Sequence, residues 1–207
     1  VFTFEDFSAR FSWSDVNTVG PIFDLKKLDW LNGMHIRALE LDDFTSRLLP
    51  YLEADGILSG NPSLGELGRL REVAALIQTR IAHLTEAGAL VAPFFAPDDM
   101  VDVADDARAQ LGEDAVRVLD AASTALQALP DEHSGVLASE STWTAPAIEA
   151  ALRAAVIDGL GLKPKVAFTP LRTAVSGRRI SPPLFESMEI LGKTATLTRL
   201  DALRSTL

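Results

Sequence analysis

Apolar residues recur at spacings of three and four along nearly the whole chain, and strict alternation is almost absent. That period marks amphipathic helices rather than half-buried strands. FEDFSARF reads as a short amphipathic helix. WSDVNTVGPIF reads as a loop, because Gly20-Pro21 breaks any helix. Asp24 is placed to cap LKKLDWLNGMHIRALE, where Leu25, Leu28 and Leu31, then His35 or Ile36, form a stripe. Asn32-Gly33 interrupts that stripe and predicts a kink or the meeting of two helices. LDDFTSRLLPYLEADG keeps the period and ends at Gly56.

ILSGNPSLGELG, rich in Gly, Ser and Pro, reads as a linker. LREVAALIQTRIAHLTEAG predicts one long helix with Leu70, Val73, Ala74, Ile77, Ile81 and Leu84 on one face, ended by Gly88. VAPFFAPDD is a turn whose aromatic pair packs between helices. DAVRVLDAASTALQALP is a further helix, stopped by Pro130. DEHSGVLASESTW is polar and loop-like. Thr144 or Ser141 starts the next helix, with Pro146 in its first turn and Gly159 and Gly161 at its close. KPKVAFTPLRTAVSG, GRRISPPLFESMEILG and KTATLTRLDALRSTL complete the chain. Only VAF hints at a strand, and it is too short to found a sheet. The prediction is all-α, with a boundary near residue 130.

Composition narrows the function classes. With 207 residues, 47% of them hydrophobic, the chain can build a substantial core. It has no cysteine, which excludes disulfides, thiolate-ligated zinc and cysteine nucleophiles. No apolar run approaches membrane-spanning length, and VFTFEDFSARF lacks the layout of a signal peptide. A cytoplasmic protein is expected. The chain starts inside a patterned segment without Met, so a preceding part is expected. No phosphate-cradling loop ending in Gly-Lys-Ser/Thr, no G-x-G-x-x-G after a strand, no H-E-x-x-H and no G-x-S-x-G occurs. No catalytic and no metal-binding residue is therefore assigned.

Individual residues mostly have plain structural readings. Asp42-Asp43, Asp98-Asp99 and Asp105-Asp106 can bind Mg²⁺, but acids at helix starts suit the positive end of the helix dipole. His35 is expected to pack at a core boundary. His83 is expected late in its helix, where it can meet a terminal carbonyl. Trp13, Trp30 and Trp143 can each stack on a base, but tryptophans more often anchor cores. Trp30, between Leu28 and Leu31, reads as packing; Trp143, before a helix start, stays open.

The net charge of −10 argues against a nucleic-acid partner, yet it is unevenly spread. Residues 163–207 carry a net +5 and the rest −15. In that tail, Arg172 precedes Arg178 and Arg179, and Lys163 and Lys165 flank Pro164. Arginine's planar fork donates bidentately to phosphate or to a base edge. Ser181-Pro182-Pro183 stiffens the backbone and leads into a helix starting with Leu184 and Phe185. An aromatic beside unpaired helix amides fits a splayed single-stranded RNA base. The same residues also fit a plain core, since Phe185, Met188 and Leu191 lie near helical spacing.

KLDWLNGMHIR (27–37) and PLRTAVSGRRISPPLFESMEILGK (170–193) resemble the C-terminal half of bacterial-type glutamyl-tRNA synthetases, class I enzymes. The resemblance extends over essentially the whole chain. It implies a cage of helices: a helical stem-contact segment (1–58), then two consecutive helical anticodon-binding subdomains (59–130 and 131–207). It implies that the catalytic half, a Rossmann-type domain with HIGH and KMSKS-type motifs, lies outside this chain, since neither motif occurs here. ATP and Mg²⁺ would belong to that missing half, with no cofactor in this chain.

The resemblance also implies a site. Arg172 matches the arginine of the family's PLR motif, which reads anticodon bases of tRNA(Glu). Ser181, Pro182, Leu184 and Phe185 match the loop and helix start that add contacts. The family often has Thr where Ser181 stands, and it varies at Pro183. Lys163, Lys165, Arg178 and Arg179 are candidates for the RNA backbone. The arginine that approaches the first anticodon base is not assigned. The expected partners are tRNA(Glu) and the catalytic domain of the same polypeptide, in a monomer. The competing reading is a helical protein-interaction module without RNA binding.

Overall fold

The computed structural model describes residues 2–17, 19–20, 24–99, 101–130 and 142–207. Among them every regular element is helical, with no strand. Of the loop expected over 131–143, residues 131–141, with His133 and Ser141, lie outside the described residues, as does Pro21.

Helix α1 (Phe4–Arg10) opens with a capping box in which Thr3 and Asp6 satisfy each other's backbone amides. Helix α2 (Leu25–Ala38) is capped by Asp24, whose carboxylate accepts from the Lys27 amide. The break expected at Asn32-Gly33 is absent, and α2 runs through. A glycine costs a helix only about 1 kcal/mol. Here tertiary contact offsets it: Gly33 is buried, and Asn32 donates to the Ala82 carbonyl of a passing segment.

Helices α3 (Leu41–Ala54), α4 (Leu64–Ile77) and α5 (Ala87–Val91) form a first core with Ile36. Phe44, Leu48 and Leu52 from α3 meet Leu70, Val73, Ala74 and Ile77 from α4. The single long helix expected over 70–88 is instead two helices. α4 stops at Ile77, residues 78–83 form a turn and an irregular stretch, and α5 starts at Ala87. Gly88 lies inside α5, where an added Cβ would collide with the Asp55 carboxylate. The broken helix still buries Ile77 and Ile81, so the apolar stripe was real although its backbone was not continuous.

Helix α6 (Asp105–Arg108) is one turn. Helices α7 (Ala115–Ala128), α8 (Ala145–Leu152), α9 (Pro164–Ser176), α10 (Leu184–Leu191) and α11 (Lys193–Arg204) build a second core. Helix α8 is capped by Thr144 and passes into a π-helical turn at Arg153–Asp158. Trp143 is 1% exposed, and its indole N–H donates to the Met188 carbonyl at 2.9 Å. Lys193 donates to the carbonyls of Gln127 and Leu129 at the end of α7, where a cation suits the helix dipole.

Helix α7, which precedes the expected boundary near residue 130, packs with the helices that follow it. Helix α10 joins the two cores: Leu184 and Met188 enter the second, and Ile190 rests against the first.

Candidate nucleic-acid interface

The join between the two cores is also where the tail's chemistry gathers. Helix α9 ends at Ser176, and Gly177 turns the chain with φ +64°. That left-handed conformation suits glycine. The turn is stitched to Asp102 and Ala104. The Ala104 amide donates to the Gly177 carbonyl at 2.9 Å, and a Cβ on Gly177 would collide with the Asp102 carbonyl.

Arg178 closes the same stitch. Its Nη1 donates to the Asp102 carbonyl at 2.6 Å, and its Nη2 pairs with the Asp102 carboxylate at 3.0 Å. Arg199, 2% exposed, holds the segment from the other side. It donates to the carbonyls of Val175 and Ala96 and to the Asp98 carboxylate, at 2.7–3.4 Å. Burial lowers the Arg199 pKa, and the Asp98 carboxylate works against that shift. Asp98 is therefore the ion partner of a buried arginine rather than a helix-start residue as expected. Asp42-Asp43 and Asp105-Asp106 do stand in first turns, of α3 and α6.

Beyond this fixed turn the chain doubles back along α9. Arg172, half-buried, donates from Nη1 to the Ser181 hydroxyl at 3.0 Å and to the Pro182 carbonyl at 3.2 Å. Its Nε and Nη2 have no acceptor among the described residues. Burial lowers its pKa, and repulsion from the nearby Arg80 lowers it further. No carboxylate counters either effect. Arg172 thus keeps unused donors while feeling the repulsion of Arg80, which stands exposed just past α4.

The five residues matched to base contacts are gathered here in unequal roles. Ser181, Pro182 and Leu184 are buried, so they set the shape of the turn. Phe185 is half-buried; its ring meets Phe168 edge-on at 5.4 Å, and Arg153 lies over the Phe168 ring. Arg172 and Phe185 keep partial exposure in this cluster.

The backbone candidates separate. Lys165 and Arg179 line one groove of about 650 Å³ with Thr169 and Asp114. Lys163 is exposed just before α9. Arg178 is spent on Asp102. Lys163 and Lys165 stand at the positive end of the α9 dipole, where cations are disfavoured unless an anion is near.

Sequence reading missed Arg80. It falls just past α4, and nothing in the local pattern ties it to a residue ninety positions later. Several other expectations also change. His35 is exposed, beside a hollow with Asn32, Tyr51 and His83. His83 lies outside any helix and pairs with Asp29 at 3.1 Å. Trp30, expected to pack, is 56% exposed, and Trp13 is 83% exposed. Among the described residues no group of three His, Cys, Asp or Glu side chains is placed to hold a metal. No helix among them is long and apolar enough to cross a membrane.

Comparison with known proteins points the same way as this geometry. Residues 43–204 match the family model described as an anticodon binding domain. The chain is 50% identical over 201 residues to a glutamate–tRNA ligase from Acidothermus cellulolyticus, covering 97% of this chain and 38% of that protein. It is 47% identical over 207 residues to the corresponding ligase from Kineococcus radiotolerans, covering 100% of this chain and 39% of that one. The chain thus spans under half the length of the relatives it matches. A solved glutamate tRNA ligase from Elizabethkingia meningosepticum superposes with a TM-score of 0.71 over 95% of this chain and 35% of that one. At 17% identity this likeness speaks for the fold alone.

Proposed function

The chain belongs to the anticodon-binding domain family and corresponds to the anticodon-binding region of bacterial glutamyl-tRNA synthetases, and from that premise we propose that it recognises the anticodon arm of tRNA(Glu). The observation that carries this reading is the Arg172 guanidinium. One nitrogen fixes the Ser181-Pro182 turn, the remaining donors have no acceptor among the described residues, and no acid offsets the burial of the guanidinium or the repulsion from Arg80. Such a site gains most from an electron-rich ligand such as a base edge or a phosphate.

Arg172 reads a base, held in register by the turn it bonds to. Ser181, Pro182 and Leu184 shape the wall beside it, and Phe185 supplies a stacking edge. Arg80 contributes from the first core. Lys163, Lys165 and Arg179 follow the RNA backbone, while Arg178 acts through Asp102 to fix the turn. Residues 1–58 contact the stem, and 59–130 and 131–207 act as the two anticodon-reading units, with α7 of the first packed on the core of the second. In the longer protein, a catalytic part outside this chain joins glutamate to tRNA(Glu) using ATP and Mg²⁺ in the cytoplasm. This chain holds neither and does not charge tRNA alone.

The negative body is part of the reading. A net −10 repels RNA broadly, so a local cationic patch admits it in a restricted pose. The test is fluorescence anisotropy with a labelled tRNA(Glu) anticodon stem-loop beside an anticodon-scrambled control, at two salt concentrations. Cognate preference is expected, and Arg172→Ala should weaken cognate binding by about 1–3 kcal/mol. Equal loss on both RNAs would remove the base-reading role. No binding preference at all would favour the protein-interaction reading.

A further inference from the structure

Helix α9 meets the approach to α10 at two points one helical turn apart. Phe168 and Arg172 stand four residues apart on α9, a spacing that puts both on one face of the helix. Arg172 bonds the Ser181 hydroxyl and the Pro182 carbonyl. Phe168 meets Phe185, with ring centroids 5.4 Å apart and ring planes at 86°. The first contact fixes the turn before α10, and the second fixes a side chain in the first turn of α10.

The second contact carries weight because α10 lacks a local hold at its start. Its N-cap is Pro183, whose side chain makes no capping bond. The direction of Phe185 therefore comes from what packs against it. An edge-to-face aromatic pair has an orientation preference that an aliphatic contact lacks. Phe168 is itself held. Arg153 lies over its ring, the guanidinium carbon 5.8 Å from the centroid, within cation–π reach. The Nε of Arg153 donates to the Glu149 carboxylate at 2.6 Å. Arg153 also opens the π-helical turn that follows α8, a rare geometry that concentrates at functional sites. Both phenyl rings rest against the second core, yet both are only half-buried. The pair thus contributes direction at the surface more than buried area.

We propose that Phe168 is a positioning residue of the anticodon-reading site. It acts through Phe185, setting the tilt of the ring on which an unpaired base stacks. Because Phe168 and Arg172 share one face of α9, that helix also sets the spacing between the stacking ring and the hydrogen-bonding guanidinium. The proposal rests on the reading above, in which Phe185 stacks on a base.

Its test is a double-mutant cycle in the full-length ligase, read as affinity for tRNA(Glu) and for an anticodon-scrambled tRNA(Glu). Phe185→Leu should weaken cognate binding by about 10-fold or more, as loss of a base–aromatic stack does. Phe168→Leu should weaken it by about 5-fold and leave binding of the scrambled tRNA unchanged. With Phe185→Leu already present, Phe168→Leu should cost less than about 2-fold, because no ring is left to orient. Phe168→Tyr keeps the ring and should keep cognate affinity. A merely structural Phe168 would weaken both RNAs alike, or add its full effect on top of Phe185→Leu, and either result overturns the proposal. So does full cognate affinity in Phe168→Leu alongside a loss in Phe185→Leu, an outcome that leaves the reading of Phe185 standing. Full cognate affinity in Phe185→Leu would instead remove the stacking role of Phe185, and the proposal with it.

Discussion

The leading segment and the C-terminal core carry the same sequence signal with opposite outcomes. Leu25, Leu28 and Leu31 recur with a helical period, and so do Val118, Leu119, Ala122 and Leu126. In α7 all four are buried; in α2 Leu25 and Leu28 are exposed and Leu31 is half-buried. Periodicity reports that a helix has an apolar face. It does not report what covers that face, because the cover comes from elsewhere in the chain or from outside it. The two tryptophans condense the contrast: Trp143 is sealed beneath α10, and Trp30 stands in solvent.

The strongest way to break the comparison is to truncate the buried tryptophan. Trp143→Ala empties a large packed volume and leaves the Met188 carbonyl without its indole donor. A loss of about 3–5 kcal/mol is expected in urea unfolding of this chain. A loss below about 1 kcal/mol would mean that the second core is not packed around Trp143.

Next in size is Arg199→Met. The substitution keeps an apolar stem but strands the Asp98 carboxylate and the carbonyls of Val175 and Ala96. Asp98 is half-exposed, so water recovers part of its solvation, and about 2–4 kcal/mol of destabilisation is expected by denaturant midpoint. Gly177→Ala should cost less, about 1–3 kcal/mol, from the left-handed backbone and the approach of Asp102. It sharpens the picture because the same turn leads into Ser181. Cognate stem-loop affinity should fall in this variant even at temperatures where it stays folded, and unchanged affinity would detach the stitch from the reading site.

The all-α class and most helices were legible, since caps such as Asp24 and Thr144 and stops such as Gly56 and Pro130 are local devices. The long helix over 70–88 was misread because its stripe continues through an irregular stretch that buries Ile81 all the same. That Arg172 and the Ser181-Pro182 turn belong together was suggested by a strong motif, and the structure bonds them to each other. Arg80, and the diversion of Arg178 to Asp102, were not. Both depend on contacts between residues far apart in the chain, and a charge reads the same in sequence whether it meets an acid or water. Trp30 failed for a third reason: its place between Leu28 and Leu31 reports an apolar neighbourhood in sequence, while on the helix it lies off their face and stands 56% exposed.

The smallest expected effect is therefore the most discriminating. Trp30→Ala in this chain removes a side chain that is 56% exposed on a helix overhang. Its transfer from water is mostly unmade, so unfolding should shift by no more than about 0.5 kcal/mol. Alanine is also the better helix former, which offsets part of any lost contact. In the full-length ligase the same substitution should destabilise by more, if a partner surface covers Trp30 there. Comparing the two shifts cancels the intrinsic helix term, because α2 is common to both proteins. A difference near zero would mean that the overhang is exposed by design in both. A difference above about 1 kcal/mol would show that Trp30 is covered in the longer protein.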